Sequence, residues 1–252
     1  NEIPYLVCLA VNGYQSNLTG AKQRPFYYRS QTALGDSAYN LGLVDRAIEF
    51  FRTSVALVPG SWVEKNNLAA AYLDAERYED ALDILDKSLA ITGESRTSAD
   101  AYFLKGEVYR NLGDMDSSAE NMLGSLDLGL SGPRGAQAHL NLGQYHVAAG
   151  RFDAAVSSLN KAIEIGPQIP SVYALRGKAL SEVGQHLLAI QDFEEALRLN
   201  PEQQLDNRRL GVSYFELGQI EKAISALNNA FRLDPSDGTA LAYRGKAYTE
   251  LG

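Results

Sequence analysis

Residues 170–203 read PSVYALRGKALSEVGQHLLAIQDFEEALRLNPEQ, and their spacing decides the fold. Tyr173, Gly177 and Leu180 recur at the interval of one helical face. Gly184 then breaks the run and offers a left-handed helix end, which a residue without a Cβ adopts at little cost. A second amphipathic run follows, with Leu188, Ala189, Phe193, Ala196 and Leu197 expected on its inner face. Pro201 closes it, because the residue before a proline, here Asn200, is pushed out of the helical region. The stretch therefore predicts helix, tight turn, helix, short turn: an αα-hairpin. Gly177 and Ala189 fall where the two helices cross, and a larger side chain there would force the axes apart. Ala196 does the same toward the next hairpin, while Tyr173 and Phe193 are expected to fill the gaps that close approach leaves.

The pattern is reissued along the whole chain. Gly35, Ala69, Gly106, Gly143, Gly177, Gly211 and Gly245 are separated by 34, 37, 37, 34, 34 and 34 residues. Ala47, Ala81, Ser118, Ala155, Ala189 and Ala223 keep step twelve residues behind. A period of this size signals a solenoid, in which no unit can bury its apolar stripe without a stacked neighbour. Such arrays expose long surfaces and grow by nearest-neighbour packing.

Two further slots complete the pattern. An aromatic slot reads Ala38, Tyr72, Tyr109, His146, Leu180, Tyr214, Tyr248, and a turn slot reads Gly42, Glu76, Gly113, Gly150, Gly184, Gly218, Gly252. A bulky slot on the second helix reads Phe51, Leu85, Met122, Leu159, Phe193, Leu227, and a closing slot Pro59, Gly93, Leu130, Pro167, Pro201, Pro235. Together these resemble the tetratricopeptide repeat, whose signature sets an aromatic, Leu-Gly, Tyr, Ala, Phe and Pro within 34 residues. The resemblance covers about residues 28–252. It implies an all-α, right-handed superhelical solenoid of antiparallel helix pairs, with units 28–61, 62–98, 99–135, 136–169, 170–203, 204–237 and a partial 238–252. Residues 1–27 do not fit the repeat and read either as a cap over the first unit or as a remnant of a preceding domain. The partial unit stops at its turn glycine with markers of an internal unit, Leu241, Gly245 and Tyr248, as expected of a capping helix or of a piece of a longer array.

The two 37-residue spacings place three-residue insertions near 93–98 and 129–135, where the closing proline is missing. Longer connections between hairpins are expected at both. The third unit also carries Met122 and Ser118 in place of the aromatic and the alanine.

Bulk properties exclude several function classes. Net charge is −8, which argues against general affinity for nucleic acid or anionic membrane surfaces. Cys8 stands alone, so an intrachain disulfide and a cysteine-based metal site are both excluded, and the compartment is open between cytoplasm and periplasm. No apolar run approaches the length that spans a bilayer. Asn17-Leu18-Thr19 matches a glycosylation acceptor by pattern only. His139 and His146 share a helical face, but both occupy structural slots. No phosphate-binding loop, zinc-protease motif or nucleophile elbow occurs, so no enzyme, metal or cofactor is expected. The acidic run Asp74, Glu76, Glu79, Asp80, Asp83 and Asp86 reads as a solvated second-helix face, or else as a dock for a basic partner.

In tetratricopeptide arrays the first helices line a concave groove, which the resemblance places at positions three before, one after and four or five after the glycine slot. Candidate peptide contacts are Asp36, Tyr39, Asn66, Glu107, Arg110, Gln144, Lys178, Arg208, Phe215 and Lys246, with Asn67, Asn141 and Arg209 beside that row. Some relatives clamp chaperone tails with Lys, Asn, Asn, Lys and Arg over three successive units, and no three units here supply that set. The cations Lys178, Arg208, Arg209 and Lys246 suggest instead a peptide of acidic character; alternatively they pair with Glu182, Glu216 and Glu250. The expected function is a soluble scaffold for a protein partner. A recognition arm of a larger enzyme, such as a glycosyltransferase, and a module that self-assembles near Tyr248 remain the alternatives.

Overall fold

The computed structural model describes residues 24–166 and 169–252, and among these every regular element is a helix. They form two compact units, one ending at Gly129 and the other beginning at Leu130. The first holds α1 (Arg24–Asn40) with α2 (Val44–Leu57), α3 (Trp62–Asp74) with α4 (Tyr78–Thr92), and α5 (Ala99–Leu112) with α6 (Met115–Asp127). The second holds α7 (Gly132–Ala148) with α8 (Phe152–Ile165), α9 (Pro170–Glu182) with α10 (His186–Leu199), and α11 (Gln204–Glu216) with α12 (Ile220–Leu233). α13 (Gly238–Leu251) packs on α12 and α11. The fold is a helical solenoid of paired antiparallel helices. Residues 1–23, with Cys8, Asn17 and most of the segment expected to cap the array, lie outside the described residues.

Each hairpin reverses through one backbone device. The residue after the turn slot donates its N–H to the carbonyl of the aromatic slot, as in Arg77 to Tyr72 at 2.8 Å and Gln185 to Leu180 at 2.8 Å. This six-residue closure satisfies carbonyls that the helix end leaves unpaired. It requires a left-handed residue between the two, supplied at φ 76° by Gly184. Glu76 takes the same role at φ 57°, the one non-glycine with positive φ among the described residues.

The glycine slot and the bulky slot fit together as hollow and knob. A Cβ added to Gly35 would stand 2.5 Å from the Phe51 ring, and one on Gly211 would stand 2.6 Å from Leu227. Phe51, Leu85, Met122, Leu159, Phe193 and Leu227 are all buried to within 2% of complete. Burying each such side chain stabilises the fold by roughly 1.5–3 kcal/mol. Ser118 pays no penalty for replacing the alanine, since its hydroxyl donates to the Gly106 carbonyl at 2.8 Å. Met122, in the same hairpin, is fully buried against Gly106.

The connection over 93–98 is longer than the others between hairpins, as expected, and it holds a 3-10 turn, Arg96–Ser98, closed by reciprocal Ser95 and Ser98 bonds. Two expectations need correction. Leu188 is 47% exposed, because the inner face of α10 is already filled by Ala189, Ile190 and Phe193. The insertion near 129–135 is largely helix, since α7 starts at Gly132 with a proline in its first turn and runs for 17 residues. Proline fixes a helical φ and lacks the N–H that the first turn leaves unused, so the added residues extend the helix.

Candidate functional site

The first helix of each hairpin carries the predicted contact positions. On α1, Asp36 is exposed and Tyr39 half-buried. Partial burial, then the charge of Glu64, holds the Asp36 carboxyl above the usual aspartate range. Glu64 of α3 is itself buried and accepts bonds from Ser54 at 2.7 Å and Thr32 at 2.8 Å. Its role was not legible in advance, although serine at positions 54, 88 and 125, where 162, 196 and 230 carry alanine, was a visible hint of polar lining.

Asn66 is buried, not displayed on the surface. Its Oδ1 accepts from Ser88 at 2.7 Å, and its Nδ2 has no protein partner among the described residues. Asn67 beside it is half-buried. On α5, Arg110 donates to Glu107 at 2.9 Å one turn back, which ties these two candidates to each other. Lys65 of α3 occupies an inward slot and is buried, its Nζ directed at the carbonyl oxygens of Pro59 and Ser61. Burial, followed by repulsion from Lys87, lowers its pKa.

In the second unit, Asn141 of α7 is buried and accepts from Gln137 at 2.9 Å, while Gln144 is exposed. Among the described residues none of the cations Lys178, Arg208, Arg209 and Lys246 forms an ion pair with Glu182, Glu216 or Glu250, the alternative that the sequence left open. Arg208 meets Asp237 at 3.1 Å and Arg209 meets Asp206 at 3.4 Å. Burial dominates at the latter pair, raising Asp206 and lowering Arg209. The Lys246 ammonium lies 4.7 Å from the centre of the Tyr243 ring, and that ring meets half-buried Phe215 edge-on at 5.5 Å. Lys178, half-buried on α9, has no carboxylate within ion-pair reach among the described residues.

His139 and His146 are half-buried, and burial lowers the pKa of each. Among the described residues no group of three or more His, Cys, Asp or Glu side chains is placed to hold a metal ion. No described helix is long and apolar enough to cross a membrane.

Comparison with known families settles the scaffold. Tetratricopeptide repeat models match residues 18–61, 65–94, 97–168, 170–203 and 211–252. The chain belongs to the tetratricopeptide repeat family. No curated protein matches its sequence. Among solved structures this tetratricopeptide protein resembles Pseudomonas aeruginosa PilF at 16% identity over 88% of this chain and 99% of that one, with TM-score 0.72. It resembles YrrB, a TPR protein with an unusual peptide-binding site, at 21% identity over 77% and 97% with TM-score 0.69. MamA AMB-1 is 26% identical over 72% and 96% with TM-score 0.58. As a tetratricopeptide array the chain is a scaffold for protein–protein interaction.

Proposed function

We propose that the first-helix face of α7, α9, α11 and α13 binds an extended or helical peptide segment of acidic character. The observation that carries this reading is Lys178. It stands one residue after the glycine slot, half-buried, with no carboxylate in reach, and Lys246 repeats the position on α13. Holding a partly buried cation without a counter-ion is costly, so an incoming carboxylate gains a charge-assisted bond there. Arg208 and Arg209 are held by their own aspartates and contribute positive potential more than a vacant donor. Gln144 offers an exposed amide for a peptide backbone. Phe215 offers an apolar edge beside Arg208 in the same helix.

On the other unit, α1, α3 and α5 offer Asp36, Tyr39, Asn67, Glu107 and Arg110, which suits a polar segment of mixed charge. A peptide array spanning acidic, neutral and basic sequences tests the proposal. The parent chain is expected to favour acidic sequences, and Lys178→Glu with Lys246→Glu is expected to weaken their binding at least tenfold. An unchanged preference in that double variant sinks it.

A further inference from the structure

We infer that the peptide taken by this face is a polyproline-II segment of the pattern acid-x2-apolar-x2-acid, its carboxylates on Lys178 and Lys246 and its apolar side chain on Val212. This pattern rests on the acidic-peptide function proposed above, which gives the ligand's charge; the row of contact residues adds its spacing and backbone form. The position one after the glycine slot is Lys178 on α9, Val212 on α11 and Lys246 on α13, so cation, apolar and cation follow one another on three successive first helices. Contacts on either side of the row place its members on one surface. Phe215, three after Val212, meets Tyr243, three before Lys246, edge-on at 5.5 Å. Arg209, three before Val212, has its pKa lowered by burial, and among the charges acting on it is Glu182, four after Lys178. Each stripe thus borders the next through residues one helical turn from the row. Lys178 and Val212 stay half-buried with both helices of their hairpins in place, so the row is accessible in a complete hairpin.

Spacing decides the backbone form. Packed helices stand about 8–10 Å apart, and α11 lies against both α9 and α13, so neighbouring members of the row are separated by about that distance. A polyproline-II chain has three residues per turn and rises about 3.1 Å per residue, so every third side chain returns to one face after about 9 Å. The two periods coincide. A β-strand covers the same distance in about three residues, but its side chains alternate, and the apolar one would point away from Val212. An α-helix rises about 1.5 Å per residue and would need its carboxylates about twelve residues apart. Polyproline II leaves its backbone groups unpaired, and exposed Gln144, at the same slot position on α7, offers a donor and an acceptor to the chain beyond the first acid. Glu182 and Glu216 stand four residues past the row, so further carboxylates at the x positions are repelled. The row selects two spaced acids over an unbroken acidic run.

The experiment titrates the full chain into labelled, end-capped peptides of one composition, two Asp, one Leu and six Pro, and follows fluorescence anisotropy. Three arrangements are compared, with one, two or three prolines between the leucine and each aspartate and the remainder at the ends. The two-proline spacing is expected to bind about tenfold more tightly than the others, the worth of one charge-assisted hydrogen bond. Asparagine in place of its leucine, or Lys246→Gln in the protein, should remove that advantage. Equal affinity for all three spacings, with acidic peptides still preferred over neutral ones, overturns the register and leaves the acidic-peptide reading standing. So does tighter binding of a helical, alanine-rich peptide that carries its two aspartates about twelve residues apart. Failure of every acidic peptide to bind overturns both.

Discussion

At the scale of single residues, Gly35 and Gly245 occupy the same slot with opposite consequences. A methyl group on Gly35 collides with the Phe51 ring, which is rigid and fully enclosed, so Gly35→Ala is expected to cost about 1–3 kcal/mol by overpacking. Gly245→Ala meets open space in mid-helix and should stabilise by up to roughly 1 kcal/mol. Urea denaturation of the two variants gives the sign of each. Glu76 makes a complementary case, since its left-handed backbone strains any side chain and Glu76→Gly should raise stability by about 1 kcal/mol. Asp36 carries a pH signature. Its folded pKa is raised above the ordinary 3.8, so the folded chain holds that proton more tightly than the unfolded one. The group's stabilising contribution is therefore complete below 3.8 and is lost as the pH climbs through the raised folded value. Asp36→Asn is accordingly expected to be more stable than the parent at pH 7, with the gap closing on acidification. An unchanged gap across that range contradicts the assignment.

Helices add a layer that single slots do not show. Asp237 caps α13 by accepting from the N–H groups of Thr239 at 2.9 Å and Ala240 at 3.1 Å, and it also holds Arg208 of α11. Asp237→Ala removes the cap and strands a half-buried guanidinium, with an expected loss of roughly 1–3 kcal/mol. Hydrogen exchange should show the amides of α13 losing protection first. The helix pairs were legible because Gly177, Ala189 and Phe193 write their packing into a fixed spacing. Leu188 was misread for the opposite reason: α10 has more apolar residues than its inner face can accept, and spacing alone does not say which is displaced. The insertion before α7 was misread as loop because glycine and serine outweighed the proline that starts the helix. The candidate contacts were legible as positions but not as states. Whether Asn66 is buried by Ser88, or Arg208 engaged by Asp237, depends on residues from other helices that the row of first-helix positions does not contain.

For the molecule as a whole, stability is distributed among neighbouring hairpins, and no single core collects it. Phe193→Ala removes the largest fully buried side chain of its unit and should cost about 3–5 kcal/mol there. Exchange protection is expected to fall around α9–α11 and to hold in α1–α4; a uniform fall through both units would show all-or-none unfolding instead. The fit between slot and knob also carries a lesson about descent and engineering. The knob differs from hairpin to hairpin, Phe51, Met122, Leu159, Phe193 or Leu227, and each lies within 3 Å of where a Cβ on its own glycine would stand, so each is close-fitted to the hollow of its own hairpin. A crossover that parts the two members of a hairpin mismatches them, whereas one made between hairpins transfers a matched set. The heritable module of this chain is the pair, and recombined or redesigned versions should keep their breakpoints outside it.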